Sequence, residues 1–279
     1  MTDFVKNREY IEWSNTWIED ADNLSKKRLL IIGDSVAREF RSNISWALPN
    51  YAVDFIGSSS IFEDSLLYDV CDMFFKNKEY KYSFILLCIG GKHGYYLNTY
   101  GNKEQALIFT QTFEKFVLYL KNICPHVILL TTPFSKKKEN IRIDDDEINK
   151  EILSRNLLQT NIMQKLGLFV IDLCEFVKKN HFKHKDVQHY ANKKIQRTIA
   201  EFIILQLIST GIIPMNELKK RKNLFQKFKI ALQKIYHTYI HTYIHTYIHT
   251  YIHTYIHTYI HTYTYLRIDY DQGFCFRLF

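Results

Sequence analysis

Leu29-Leu30-Ile31-Ile32-Gly33-Asp34-Ser35-Val36-Ala37-Arg38 is the stretch on which the reading of this chain turns. Four consecutive apolar residues predict a strand buried on both faces. Gly33-Asp34-Ser35 is then a sharp exit, and Val36 to Trp46 reads as a helix. A serine at such a turn sits at the carboxyl end of a sheet, where open α/β folds keep their chemistry. It also lies near the positive end of the following helix, which favours developing negative charge. Such a serine is useful only if a base can reach it.

Outward from this stretch, strand and helix alternate. Tyr51–Ile56 reads as the second strand and Glu63–Phe75 as a helix. Tyr82–Ile89 is a near-continuous apolar run and predicts the third strand. Lys103–Ile123 places Phe109, Phe113, Phe116, Val117 and Leu120 on one helical face. Val127–Thr131 predicts the fourth strand, Asp145–Leu166 a helix and Leu168–Asp172 the fifth strand. A loop rich in Lys and His follows, and Ile195, Ile199, Phe202 and Ile203 mark the last helix. Five β-then-α units predict an α/β class fold: a five-stranded parallel sheet between two helical layers, three-layer α/β/α and flavodoxin-like.

The flanks differ in character. Residues 1–27 hold Trp13 and Trp17 four apart and predict an N-terminal helical extension on the main domain, which spans 28–210. Residues 211–235 contain Lys219-Lys220-Arg221-Lys222 and then Leu224, Phe225, Phe228 and Leu232. Two readings stay open there: a solvated appendage, or a basic amphipathic segment over 217–235 making weak contact with a membrane surface. Residues 236–279 are dominated by the repeat Tyr-Ile-His-Thr. A period of four fits no solenoid unit. The codons TAC ATA CAT ACA spell this peptide, so a tetranucleotide repeat read in frame accounts for it. That predicts a disordered tail.

The 279-residue chain carries a net charge of +8. Residues 1–210 hold 28 basic and 26 acidic side chains, and residues 211–279 hold 9 and 3. The basic excess belongs mostly to the tail and gives the main domain no claim on nucleic acid. Cys71, Cys88, Cys124 and Cys174 sit in apolar contexts without CxxC spacing, and read as buried free thiols of a reducing compartment. No apolar run approaches the ~20 residues of a membrane span, and Met1 to Tyr10 lacks the apolar core of a secretory signal. The expectation is a cytoplasmic protein.

The base candidate lies late, in Asp186-Val187-Gln188-His189-Tyr190. A carboxylate three residues before a histidine can orient Nδ1 and leave Nε2 to take the proton of Ser35. His93 also falls at a strand's carboxyl edge and is a rival base, but no carboxylate lies within three residues of it. The same reading admits a mixed-charge surface loop at 186–190.

Gly33-Asp34-Ser35 and Asp186-x-x-His189 together resemble blocks I and V of the SGNH (GDSL-type) hydrolases, over about residues 28–208. The resemblance implies ester hydrolysis or acyl transfer through an acyl-enzyme on Ser35. His189 would be the general base and Asp186 its orienting partner, with no cofactor and no metal. Arg38, in Gly-Asp-Ser-x-x-Arg, resembles a branch that adds or removes acyl groups on polysaccharides; an ordinary helix-surface charge is the other reading. The oxyanion and substrate groups implied are the Ser35 N–H, Gly57, Gly91, Lys92 and His93. The block III asparagine of the family is missing, and Lys92 stands in its place in Gly90-Gly91-Lys92-His93-Gly94. The expected substrate is a small-molecule or glycan ester. The alternative is a catalytically impaired carbohydrate-binding module. A flavodoxin-like nucleotide binder is disfavoured because no glycine-rich phosphate loop follows the first strand.

Overall fold

Leu29 to Ile32 are fully buried because their strand lies inside a sheet covered on both faces. The computed structural model describes residues 14–58, 65–76, 80–89, 99–136, 146–186, 189–190 and 192–218. Its strands are β1 (Ser14–Trp17), β2 (Lys27–Gly33), β3 (Tyr51–Ser58), β4 (Tyr82–Cys88), β5 (Val127–Leu130) and β6 (Phe169–Ile171). Its helices are α1 (Ser35–Ala47), α2 (Ser65–Phe75), α3 (Lys103–Ile123), α4 (Glu147–Lys165), α5 (Leu173–Asn180) and α6 (Lys193–Ser209). The sheet order is β1-β3-β2-β4-β5-β6. β3, β2, β4, β5 and β6 run parallel, in the flavodoxin-like order.

One face of the sheet presents Leu30, Ile32, Leu87 and Leu129 to Leu67 and Phe74 of α2, to Phe113, Phe116 and Leu120 of α3, and to Met163 of α4. The apolar stripe read from the α3 sequence is the one the fold buries. The other layer holds α1 packed against α6, with α5 beside it. Each of α1, α3, α4, α5 and α6 begins on an Asp or Asn whose side chain accepts a hydrogen bond from the first turn. Cys71, Cys88, Cys124 and Cys174 are buried free thiols. Burial pushes the Cys71 thiol up to about 12, with Asp72 adding to the rise.

Three expectations need correction. Among the described residues the sheet has six strands, because β1 adds antiparallel to β3, with Ser14 opposite Ser58 and Trp17 opposite Phe55. The helix expected around Trp17 is therefore a strand over Ser14–Trp17; Trp13 lies outside the described residues. Main-chain bonding to the open edge of β3 outweighs a periodicity carried by only two residues, and the Trp17 ring stacks 4.6 Å from the Arg41 guanidinium. The Lys- and His-rich loop after β6 contains α5, whose start is marked by Asp172 accepting from the Glu175 N–H. The final strands and helices otherwise fall within two residues of their sequence readings.

The amino-terminal edge of the sheet is closed by a buried ionic cluster. Arg28 and Asp54 are 1% and 0% exposed. Arg28 Nη1 donates to both Asp54 oxygens at 3.0 Å and to the Glu19 carbonyl at 2.8 Å, and Nη2 donates to the Asp20 carbonyl. Asp54 also accepts from the Glu19 N–H and the Tyr82 hydroxyl. The Glu19 carboxylate takes bonds from Arg41, Ser45 and the Val53 N–H. The segment after β1 is thus strapped under the sheet. A short helical turn at Met215–Glu217 closes the same edge, where Glu217 meets Lys27 and Asn50. Within the segment read as 211–235, residues up to Leu218 pack back here; 219–235 and the repeat tail lie outside the described residues.

Candidate active site

The site begins with a glycine that no other residue can replace. A Cβ on Gly33 would lie 2.4 Å from Ala37 Cβ and 2.6 Å from the Cys88 carbonyl oxygen. Only a bare backbone lets α1 start this close to β4. Asp34 then caps α1, its Oδ1 accepting from the Val36 N–H at 2.9 Å and the Ala37 N–H at 3.4 Å. Ser35 follows as the first helical residue, so its N–H has no acceptor within the helix. It is 9% exposed. Its position is the switch point of the sheet, where crossovers from β2 run to β3 on one side and from β3 back to β4 on the other.

A hairpin from His184 to Tyr190 brings the second partner. Its stem is a bridge between those two residues, and the Lys185 N–H donates to the His189 carbonyl at 2.7 Å. The His184 imidazole holds the Phe134 carbonyl at 3.0 Å through Nε2, which must therefore carry the hydrogen. Burial holds the His184 pKa below its ordinary value, against the Phe134 carbonyl. Tyr190 is 2% exposed, its ring seated against His184 and Phe182.

Next to this stem, His189 Nε2 lies 2.9 Å from Ser35 Oγ. Its Nδ1 lies 2.9 and 3.0 Å from the two Asp186 oxygens. Asp186 Oδ1 also accepts the His189 N–H at 2.9 Å. A carboxylate can only accept, so Nδ1 carries the hydrogen and Nε2 offers a lone pair to the Ser35 hydroxyl. The three residues singled out from sequence, 154 positions apart at their extremes, form one continuous chain of hydrogen bonds. His189 is 26% exposed and Asp186 49% at the side chain. An acyl carbonyl brought to Ser35 would meet a nucleophile, its base and the end of a helix.

The other sequence candidates fare differently. Gly57 lies in β3 beside Gly33, at the same carboxyl edge, with Asn15 of β1 on its other side. Arg38 is exposed on α1, one turn beyond Ser35. Gly91, Lys92 and His93 lie outside the described residues. Among the described residues no group of three His, Cys, Asp or Glu side chains is placed to hold a metal ion. No helix among them is long and apolar enough to cross a membrane.

Two features escaped the sequence reading. Glu39, four residues after Ser35 on α1, accepts the Tyr190 N–H at 3.2 Å through Oε2. The other is the polar face of α4. Gln159 donates to the Ile89 carbonyl. Asn156 and Asn149 each pair with both main-chain groups of Thr132 and Ser135. Glu151 accepts from the N–H and hydroxyl of Thr99, the N–H of Tyr100 and the Arg155 guanidinium. Burial works against the Glu151 carboxylate, but these donors outweigh it and hold the carboxyl below its usual range. The helix thereby fixes chain ends at the carboxyl edge of β4 and β5. The spacing Asn149, Asn156, Gln159 is helical and was the available signal.

No family model matches the chain, and no curated protein matches it significantly. Solved structures do. An acetyl xylan esterase aligns at 16% identity over 64% of this chain and 99% of its own, with a TM-score of 0.50. A lipase/acylhydrolase from Enterococcus faecalis aligns at 14% identity over 70% and 99%, with a TM-score of 0.49. The C-terminal catalytic domain of peptidoglycan O-acetyltransferase A from Streptococcus pneumoniae aligns at 15% identity over 70% and 99%, also at 0.49. At such identities the likeness is one of fold. The chain has the three-layer, flavodoxin-like fold of the SGNH, or GDSL-type, hydrolases.

Proposed function

We propose that the chain is a serine-dependent ester hydrolase or acyltransferase acting on an O-acylated carbohydrate or small ester. The observation that carries this is the bond of 2.9 Å between Ser35 Oγ and His189 Nε2, with Nδ1 of the same ring held by Asp186. The Ser35 oxygen attacks the acyl carbonyl as Nε2 takes its proton. Asp186 holds the ring in the right tautomer and stabilises the imidazolium. The carbonyl oxygen becomes an oxyanion, for which the Ser35 N–H at the start of α1 is the nearest donor; Gly57 at the same edge is a second candidate. Collapse breaks the ester C–O bond, and Nε2 returns its proton to the departing alcohol. The acyl group stays on Ser35 until water, or an acceptor hydroxyl, is deprotonated by Nε2 and attacks in turn. The acetyl xylan esterase among the structural neighbours supports a glycan ester as the substrate class. The exposure of Asp186 and His189 supports an open site able to receive it.

Ser35→Ala tests this directly. Turnover of p-nitrophenyl acetate is expected to fall by at least about 10³-fold, with the melting temperature unchanged. A fluorophosphonate is expected to label the wild-type chain at Ser35. Full turnover in the variant sinks the assignment. A folded wild-type chain that neither labels nor turns over ester points instead to a non-catalytic carbohydrate-binding module.

A further inference from the structure

The geometry points to Glu39 as a positioning residue that keeps the His189 hairpin in register with the nucleophile through its bond to the Tyr190 N–H. The inference rests on the acyl-transfer reading above and falls with it.

The Asp186–His189 pair is internal to the hairpin, so it sets the orientation of the ring but not the hairpin's distance from α1. One tie from hairpin to nucleophile is the bond between Nε2 and Ser35 Oγ. That bond must break during the reaction, because Oγ becomes part of the ester. A second tie is needed for the base to stay in place until deacylation. The His184 tie runs to Phe134, after β5, and not to the helix that carries Ser35. Glu39, on the helix that carries Ser35, supplies such a tie. Residues four apart on a helix lie one above the other on the same face. Ser35 and Glu39 thus grip two consecutive hairpin residues, His189 and Tyr190, from one face of α1. The Tyr190 ring is buried against His184 and Phe182, so the main chain that Glu39 holds is also anchored by its side chain. Glu39 is half-buried, and desolvation raises its pKa against the Tyr190 N–H, His189 and Lys185, with Asp186 adding to the rise. What the hairpin requires of it is an acceptor at the right reach, not a charge.

Three substitutions separate reach from charge. Glu39→Gln keeps an oxygen at the same distance and removes the charge. Glu39→Asp keeps the charge and withdraws it by one methylene. Glu39→Ala removes both. With p-nitrophenyl acetate, Glu39→Gln is expected to retain kcat within about twofold of wild type. Glu39→Asp and Glu39→Ala are expected to lose about tenfold or more in kcat, each with KM unchanged and with fluorophosphonate labelling of Ser35 slowed in parallel; a 1 Å misplacement of a catalytic group is enough for such a loss. An Asp variant as fast as the Gln variant, or an Ala variant with full kcat, overturns the inference. Absence of Ser35 labelling in the wild-type chain would instead bring down the acyl-transfer reading itself.

Discussion

Two aspartates in this molecule each hold a nitrogen partner, at opposite edges of one sheet. Asp54 and Arg28 meet at the amino-terminal edge with almost no exposure, in a cluster of six bonds. Asp186 and His189 meet at the carboxyl edge, partly in water, on a hairpin. Arginine is permanently charged and offers a rigid fork of donors, so its pair has one state. Imidazole changes charge near neutral pH and has two distinct nitrogens. Burial and a fixed charge make a rivet. Exposure and two distinct ring nitrogens make a group able to pass a proton.

The widest separation between the pairs is expected from Asp186→Asn. An amide there can present its NH₂ to Nδ1 and favour the wrong tautomer. The expected loss in kcat is about 10²–10⁴-fold, with little change in melting temperature. A stability loss matching the activity loss would erase the contrast between the two edges.

Asp54→Ala is the opposite experiment. It strands the Arg28 charge in the interior, and removing one partner of such a pair costs about 3–5 kcal/mol. Urea or thermal unfolding measures it. The specific activity of the molecules that remain folded is expected to be unchanged, since Ser35 lies at the far end of β2.

The smallest effect belongs to a pair of intermediate kind, Glu151 and Arg155, which is buried but stands at the working edge. A carboxyl held low in the fold binds its proton more readily once the chain unfolds. Its stabilising contribution is therefore full above the ordinary value of about 4.3 and is lost as pH falls through the depressed value. Glu151→Gln is expected to flatten the dependence of unfolding free energy on pH below about 4.3, leaving the neutral range otherwise parallel to wild type. An unchanged acid limb would mean that the four donors to Glu151 do not favour its charged form.

Most of the parallel sheet was legible because its signals are dense. Runs such as Leu29–Ile32 and Ile85–Leu87 are apolar throughout, and α3 repeats its aromatic residues over about three turns. Ser35, Asp186 and His189 were legible because two short motifs stood at the right places in the alternation of strands and helices. What escaped had little local signature. β1 is four residues long, and its strand state comes from the unpaired edge of β3, far along the chain. The Asp54–Arg28 cluster joins residues 26 apart; its one trace is an aspartate inside the apolar run Tyr51–Ile56. The i,i+4 relation of Ser35 and Glu39 was visible, but its meaning depends on Tyr190, which only the fold brings near. The polar face of α4 has a helical period, yet polar residues at that period usually mark a solvated surface. Their burial follows from loops that end against them.

The contact at Gly33 has a consequence for how tolerant the site is to change. β2 meets the main chain of β4 there at the Cys88 carbonyl and meets α1 at the Ala37 Cβ, with no rotamers to adjust and no space to yield. Ser35 inherits its coordinates from that contact, so its placement behaves as all or none. A library of substitutions at position 33 is expected to return only glycine among active clones. The base, by contrast, is carried on a hairpin with side-chain ties that can be lengthened, shortened or exchanged. On the acyl-transfer reading proposed above, variation in acyl group or acceptor falls to the hairpin and the neighbouring loops, while the mount of Ser35 stays as it is.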